Sequence, residues 1–163
     1  MLLVKSGGAS GKSFVEKSDD QDEWIYESEQ DALADIPLSG HVVVSLAVWQ
    51  NAADQLGEFA GLGIRLKSDE SPEQIVDSLD RFQIIVLEFP AFTDGRAYSY
   101  ARLLRDRWNY RGEIRAVGNV LPDQLQYMAR VGFDAFELDP SVTASADEVS
   151  AFFSEMGLTY QPD

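Results

Sequence analysis

The densest run of chemically capable side chains is Phe92-Thr93-Asp94-Gly95-Arg96-Ala97-Tyr98-Ser99. An apolar pattern of helical period follows it, which places Thr93, Asp94, Arg96 and Tyr98 at a helix N-terminus. Backbone N–H groups and the helix dipole favour anions there, and Arg96 would add a planar, two-pronged donor. An equally good reading gives these residues to the fold: Thr93 or Asp94 caps the helix while Arg96 pairs with an acid. Glu88 ends the most apolar strand-like run and could serve as a base or a ligand. Asn119, Asp123 and Gln124 follow the next such run, and adjacent parallel strands would set their loop beside the one at Thr93. Between Thr93 and Arg115 stand six arginines, Arg102 and Arg115 among them, against three acids. That stretch reads either as a helix with a solvated arginine face or as a local anion-binding surface. No nucleophile–base pair is evident. The chemistry these residues suggest is the binding of a small oxyanion or of a partner's carboxylate.

The composition removes several classes of function. The chain has 163 residues, no cysteine, and one histidine, His41. A thiol nucleophile, a disulfide framework, a cysteine-ligated cluster and a histidine-rich metal site are therefore excluded. No metal site and no cofactor of the chain's own are expected. A net charge of −15 argues against nucleic acid and anionic membrane as partners. Apolar runs such as Ile84–Leu87 are far too short to span a bilayer, and Met1–Val4 leads into polar residues rather than a signal-peptide core. The expected location is the cytoplasm. Ser6-Gly-Gly-Ala-Ser-Gly-Lys-Ser13 nearly matches a phosphate-binding loop, but serine stands where the first glycine belongs and no amphipathic helix follows. A plain turn is the better reading.

The elements that would position these residues alternate in type. Residues 1–40 read as an N-terminal hairpin or flexible acidic arm, with short strands at Leu2–Lys5 and near Trp24. Residues 41–163 read as the α/β domain. Its strands are expected at His41–Trp49, Gly63–Lys67, Gln83–Phe89, Glu113–Val117 and Phe133–Leu138. Helices are expected between them, capped by Asn51, by Ser71 with Pro72 and Gln74, and by the loop before Arg96. A further helix runs from Pro122 to Arg130, and the last is opened by Ser145 and Glu148. Leu158–Gln161 could form a final extended piece. Five βα units joined by short loops imply right-handed crossovers and a mainly parallel sheet. The first choice is a doubly wound, flavodoxin- or receiver-like sheet, and the alternative is a (β/α) half-barrel. Ile84–Leu87 should be its central strand, buried on both faces.

Two resemblances bear on these expectations. The third to fifth units look like a response-regulator receiver domain, with an acid at a strand end, then proline, then a helix, and later Ala129-Arg-Val-Gly-Phe-Asp-Ala135. No acidic pair ends the first strand, which reads Leu46-Ala-Val48, and no lysine follows Leu138-Asp-Pro140, so the likeness is one of fold without phosphoryl transfer. From about Val43 onward the chain resembles the DUF934 family. The segments that carry this are Glu88-Phe-Pro-Ala-Phe-Thr-Asp-Gly-Arg-Ala-Tyr-Ser99, Ala101-Arg-Leu-Leu-Arg105, Gly112-Glu-Ile-Arg-Ala-Val-Gly118, Gly132-Phe-Asp-Ala-Phe-Glu137 and Tyr160-Gln-Pro162. The chain departs from that pattern at Ala91, Asn119 and Pro122, where lysine, aspartate and arginine are usual. It also departs at Val48 and Val131, where arginine and cysteine are frequent. The resemblance implies a bacterial oxidoreductase component or accessory protein of assimilatory sulfite reduction. It also implies sulfite reductase or another sulfur-assimilation protein as partner. The alternative is a non-catalytic anion- or protein-binding module.

Overall fold

The computed structural model describes residues 2–6, 13–17, 24–91, 93–138 and 159–161. The glycine–serine loop at 7–12 and the helix expected from Ser145 and Glu148 lie outside these residues.

Strands β1 (Leu2–Ser6) and β2 (Ser13–Lys17) pair antiparallel. Then come β3 (Trp24–Glu27), β4 (His41–Ser45), β5 (Gly61–Leu66), β6 (Ile84–Phe89), β7 (Glu113–Gly118) and β8 (Ala135–Leu138). From β4 to β8, each lies parallel to the one before it. Strand β9 (Thr159–Gln161) lies parallel to β2. Helix α1 (Leu46–Leu56) follows β4, and a 3-10 helix, Pro72–Arg81, follows β5. Helix α2 (Arg96–Arg102) follows β6 and runs on as a π-helical segment, Leu103–Arg107. A 3-10 turn, Pro122–Gln124, opens α3 (Leu125–Val131) after β7. Among the described residues no helix is long and apolar enough to cross a membrane.

The nine strands of the described residues form one sheet, in the order β3-β4-β5-β6-β7-β8-β1-β2-β9. Residues before 40 thus supply three of its strands, with β1 joining β8 antiparallel. The six parallel strands β3 to β8 follow chain order. A doubly wound sheet needs a reversal of that order, so the first-choice fold is corrected to the half-barrel. The sheet is also larger than about five βα units would make it, because β1, β2, β3 and β9 join the strands β4 to β8. The physical reason for the half-barrel is handedness. Right-handed crossovers that step in one direction put every helix on the same face, and apolar periodicity says nothing about the direction of the step.

The packing follows from that placement. Val42, Val44, Leu62, Ile64, Leu66, Ile85, Leu87, Phe89, Ile114, Ala116, Phe136 and Leu138 point to the helices and share one core with Leu56, Ile75, Ala101, Leu104 and Met128. The alternate residues Val43, Ile84, Val86 and Val117 face the other way and pack with Trp24 and Tyr26. The sheet curls towards this second face. Strands β3 and β8 are five intervals apart, roughly 24 Å in a flat sheet. Yet the Tyr26 hydroxyl donates to Glu137 Oε2 at 2.5 Å, which only a half-barrel allows. Ile84–Leu87 is fully buried and lies between β5 and β7, as its apolar run implies.

Two local differences have simple causes. Strand β4 stops at Ser45, not Trp49, because the Ser45 hydroxyl accepts from Val48 N–H at 3.2 Å and caps α1. A nine-residue apolar run does not by itself separate strand from helix. Ser71 does cap the next helix with Pro72 behind it, but it accepts from Glu73 N–H at 3.2 Å and the helix is 3-10.

Gly118 closes β7 with φ of 93°, and an added Cβ would lie 2.3 Å from the Phe89 carbonyl oxygen. This turn directs Asn119 N–H onto that same oxygen at 2.7 Å. Gly118→Ala should therefore cost about 2 kcal/mol or more, from left-handed strain and a backbone clash together. Urea unfolding would measure it, and an unchanged midpoint would mean that the turn relaxes freely.

Candidate functional site

The inner face of the half-barrel should be apolar, since strands buried on both faces are normally Val, Ile and Leu throughout. It is not. The parallel register sets Ser45, Arg65, Val86, Arg115 and Ala135 in one row, with Lys5 of β1 opposite Ala135. Glu88 and Glu137 lie one pleat further towards the carboxyl ends of β6 and β8, and Glu113 one pleat back on β7. Three cations and three carboxylates thus share the concave surface.

Their contacts are specific. Arg115 is fully buried and donates from Nε and Nη2 to Glu113 Oε2 at 3.2 and 3.0 Å. Its Nη1 donates to the Tyr26 oxygen at 3.3 Å, and Tyr26 in turn donates to Glu137. Lys5 Nζ meets Glu113 Oε1 at 2.9 Å. Burial raises the Tyr26 pKa, Glu137 raises it further, and Arg115 partly opposes both. The phenol stays protonated, as its donation to a carboxylate requires. Nearer the opening, Arg65 Nε donates to Glu88 Oε2 at 3.2 Å, and its guanidinium carbon lies 5.7 Å from the centre of the Tyr26 ring. Above this pair a cleft of about 490 Å³ opens at the carboxyl ends of β3 to β6, lined by Tyr26, Ser45, Arg65, Lys67, Glu70 and Glu88 among others. Ligands of parallel α/β sheets and barrels favour those ends.

The residues singled out in the sequence are dispersed. Glu88 and Arg115 both belong to the concave face, at its mouth and in its interior. Asp94 and Arg96 hold each other: Asp94 Oδ1 accepts from the Arg96 backbone N–H and Nε, both at 3.1 Å, and Oδ2 accepts from Nη2 at 2.8 Å. Arg96 also donates to the Ser68 hydroxyl at 2.8 Å. Of the two readings of this loop, the geometry is that of an acid-paired arginine bracing it. Thr93 is exposed at the loop's tip. Tyr98 packs edge-on between Phe89 and Tyr127, each ring centre 5.1 Å away. The Asp123 charge helps raise the Tyr98 pKa, after burial and Tyr127. The loops at Thr93 and Asn119 thus adjoin through these rings and through the Asn119–Phe89 bond, while Gln124 sits half-buried at the start of α3.

Arg102 lies on the opposite side, in a groove of about 570 Å³ beside Arg105, Arg111 and Arg130, near the amino end of β8. Arg105 there donates to the carbonyls of Tyr110, Gly112 and Gly132 and to Asp134. The six arginines do not form one surface: Arg96 stands at one end of the barrel, Arg102, Arg105 and Arg111 at the other, Arg107 lies over the Trp108 ring, and Arg115 is inside. Sequence reasoning missed Tyr26, Arg65, Lys5, Glu113 and Glu137. A usable signal existed. Gly61-Leu-Gly-Ile-Arg65-Leu and Glu113-Ile-Arg115-Ala-Val place charge at alternate positions of strands that are otherwise apolar.

Asp94 also supports a prediction. Its bonds to Arg96 hold the carboxyl below the usual range, the side-chain bond contributing most. A depressed folded-state pKa stabilises above the unfolded value and loses that contribution as pH falls through the folded one. Between about pH 5 and about pH 2 the parent chain should lose more stability than Asp94→Asn does. Parallel acid-melting curves for the two would contradict this.

Fold and site together define a (β/α) half-barrel with a charged concave face and a cleft at its carboxyl-end mouth. The chain belongs to the DUF934 family, bacterial proteins of unknown function, whose model matches residues 63–163. That match begins within β5, so it takes in Arg65, Glu88, Glu113, Arg115 and Glu137 but neither Tyr26 nor Lys5. No curated protein matches the chain.

Proposed function

We propose that this protein is a component of assimilatory sulfite reduction, of the accessory or oxidoreductase kind, and that it works by holding a small ligand at the mouth of its half-barrel. The family resemblance is the support for the pathway. The charged concave face supports the ligand-holding role more than any other observation. Burying arginine and carboxylate is costly unless they are paired, and an apolar lining would stabilise the fold at least as well. Here the charges run from the interior to Arg65 and Glu88 at an open cleft, where parallel-sheet proteins commonly bind ligands.

On this reading the chain has no iron–sulfur cluster, sirohaem or flavin of its own, because it lacks cysteine and a dinucleotide fingerprint loop. Any electrons come from a partner, sulfite reductase or a neighbouring enzyme. Protein refolded with each cofactor should stay colourless after gel filtration, and stoichiometric visible absorbance would refute that part. The pathway is tested by deleting the gene in the bacterium that encodes it. Growth should fail or slow on sulfate and on sulfite as sole sulfur source, and recover on sulfide. Normal growth on sulfite would overturn the proposal.

A further inference from the structure

The charges at the mouth come in both signs. Arg65, Lys67, Glu70 and Glu88 all line the cleft. Arg65 spends only Nε on Glu88, and its two Nη groups donate to no acceptor among the described residues. Glu88 Oε1 and Lys67 Nζ likewise have no partner among them, while Glu70 Oε1 accepts from the Lys67 backbone N–H at 2.8 Å. The mouth therefore offers a forked cationic donor in contact with a carboxylate that can still accept. A simple oxyanion would gain Arg65 but meet the field of Glu88 and Glu70. A simple amine would gain Glu88 but meet Arg65 and Lys67.

We propose that the mouth binds a compact zwitterion, a free α-amino acid or a close analogue. Its carboxylate lies on the Arg65 Nη groups and its ammonium on Glu88. The separation fits this class. Arg65 and Glu88 touch at 3.2 Å, so the two binding points are adjacent, as are the two charges of an α-amino acid. Charge-assisted, two-pronged contact is the strong form of such recognition. The rest of the ligand has apolar surface to lie on, from the partly exposed Tyr26 ring and from Ala47, within a cleft of ordinary small-molecule size. The inference rests on the reading of this mouth as a ligand site and adds the class of ligand.

The test is calorimetric titration of the full chain with L-leucine, with isocaproate (the same skeleton without the amine), with isoamylamine (without the carboxylate), and with sulfate. L-leucine should bind at least about tenfold more tightly than each of the other three. Glu88→Gln should erase its margin over isocaproate, and Arg65→Met its margin over isoamylamine. These side chains are 27% and 37% exposed, so both variants should fold. The comparison on the parent chain needs no variant at all. Isocaproate or sulfate binding as tightly as L-leucine would overturn the zwitterion while leaving a ligand site at the mouth. No heat with any of the four probes would overturn the inference, and the growth test would still decide the pathway on its own.

Discussion

Leu87→Asp should abolish stable folding, whereas Val86→Asp, one residue earlier on the same strand, should cost markedly less. Both side chains are fully buried. Leu87 faces the helices, in register with Leu66 and Ala116 of the flanking strands. A carboxylate there has only hydrocarbon around it, at a cost of several kcal/mol, about 4 or more. That approaches the whole stability of an ordinary domain, roughly 5–15 kcal/mol. Val86 faces the concave side, and its register partners are Arg65 and Arg115. A carboxylate at that position would sit between two guanidinium groups, so part of its desolvation cost is offset. Solubility and cooperative thermal melting of the two variants would check this. Equal losses, or a worse outcome for Val86→Asp, would mean that the two faces of the central strand are not chemically distinct.

The second large effect is expected at Arg115. Arg115→Ala leaves Glu113 with Lys5 alone and takes from Tyr26 the group that donates to its oxygen. Breaking one member out of a buried ionic cluster typically costs about 3–5 kcal/mol, because the remaining charge stays desolvated and uncompensated. Arg115→Met combined with Glu113→Gln keeps the volume and removes both charges, and should recover a substantial part of the loss. Urea midpoints of the parent, single and double variants would measure this. If the double variant is no better than the single, the cost comes from packing rather than charge.

These two strands show what the sequence could convey. Strand positions were legible at β5, β6, β7 and β8, because a short apolar run between two helical patterns is the mark of a buried parallel strand. The buried centre at Ile84–Leu87 was legible for the same reason. Strand order was not. Whether the crossover from β4 to β5 steps left or right leaves no mark on the spacing of Val42, Val44, Leu62 and Ile64, so the half-barrel remained an alternative. The concave site was hidden by distance. Tyr26 and Glu137 are 111 positions apart, and each alone resembles an ordinary edge or surface residue. Only the curl of the sheet brings them into contact. Arg96 shows the opposite case, since its ion-pair partner, Asp94, stands two positions before it in sequence. The loop from Thr93 to Tyr98 could therefore be read locally, including the arrangement in which Asp94 and Arg96 satisfy each other.

The antiparallel joint between β1 and β8 has a consequence for how the chain is made. Leu3 pairs with Glu137 and Lys5 with Ala135, so β1 must wait through the synthesis of more than a hundred further residues for its partner. At about 5–20 residues per second the delay is roughly 7–26 s. Through that interval Leu3 and Val4, buried in the finished protein, have β2 as an early neighbour, since β1 and β2 can zip together as a local hairpin. Such long-range closure slows folding and prolongs the exposure of unpaired edges. Nascent chains released before residue 138 should therefore hold the helix-covered strands without the β1–β8 seam, and be the forms most dependent on chaperones.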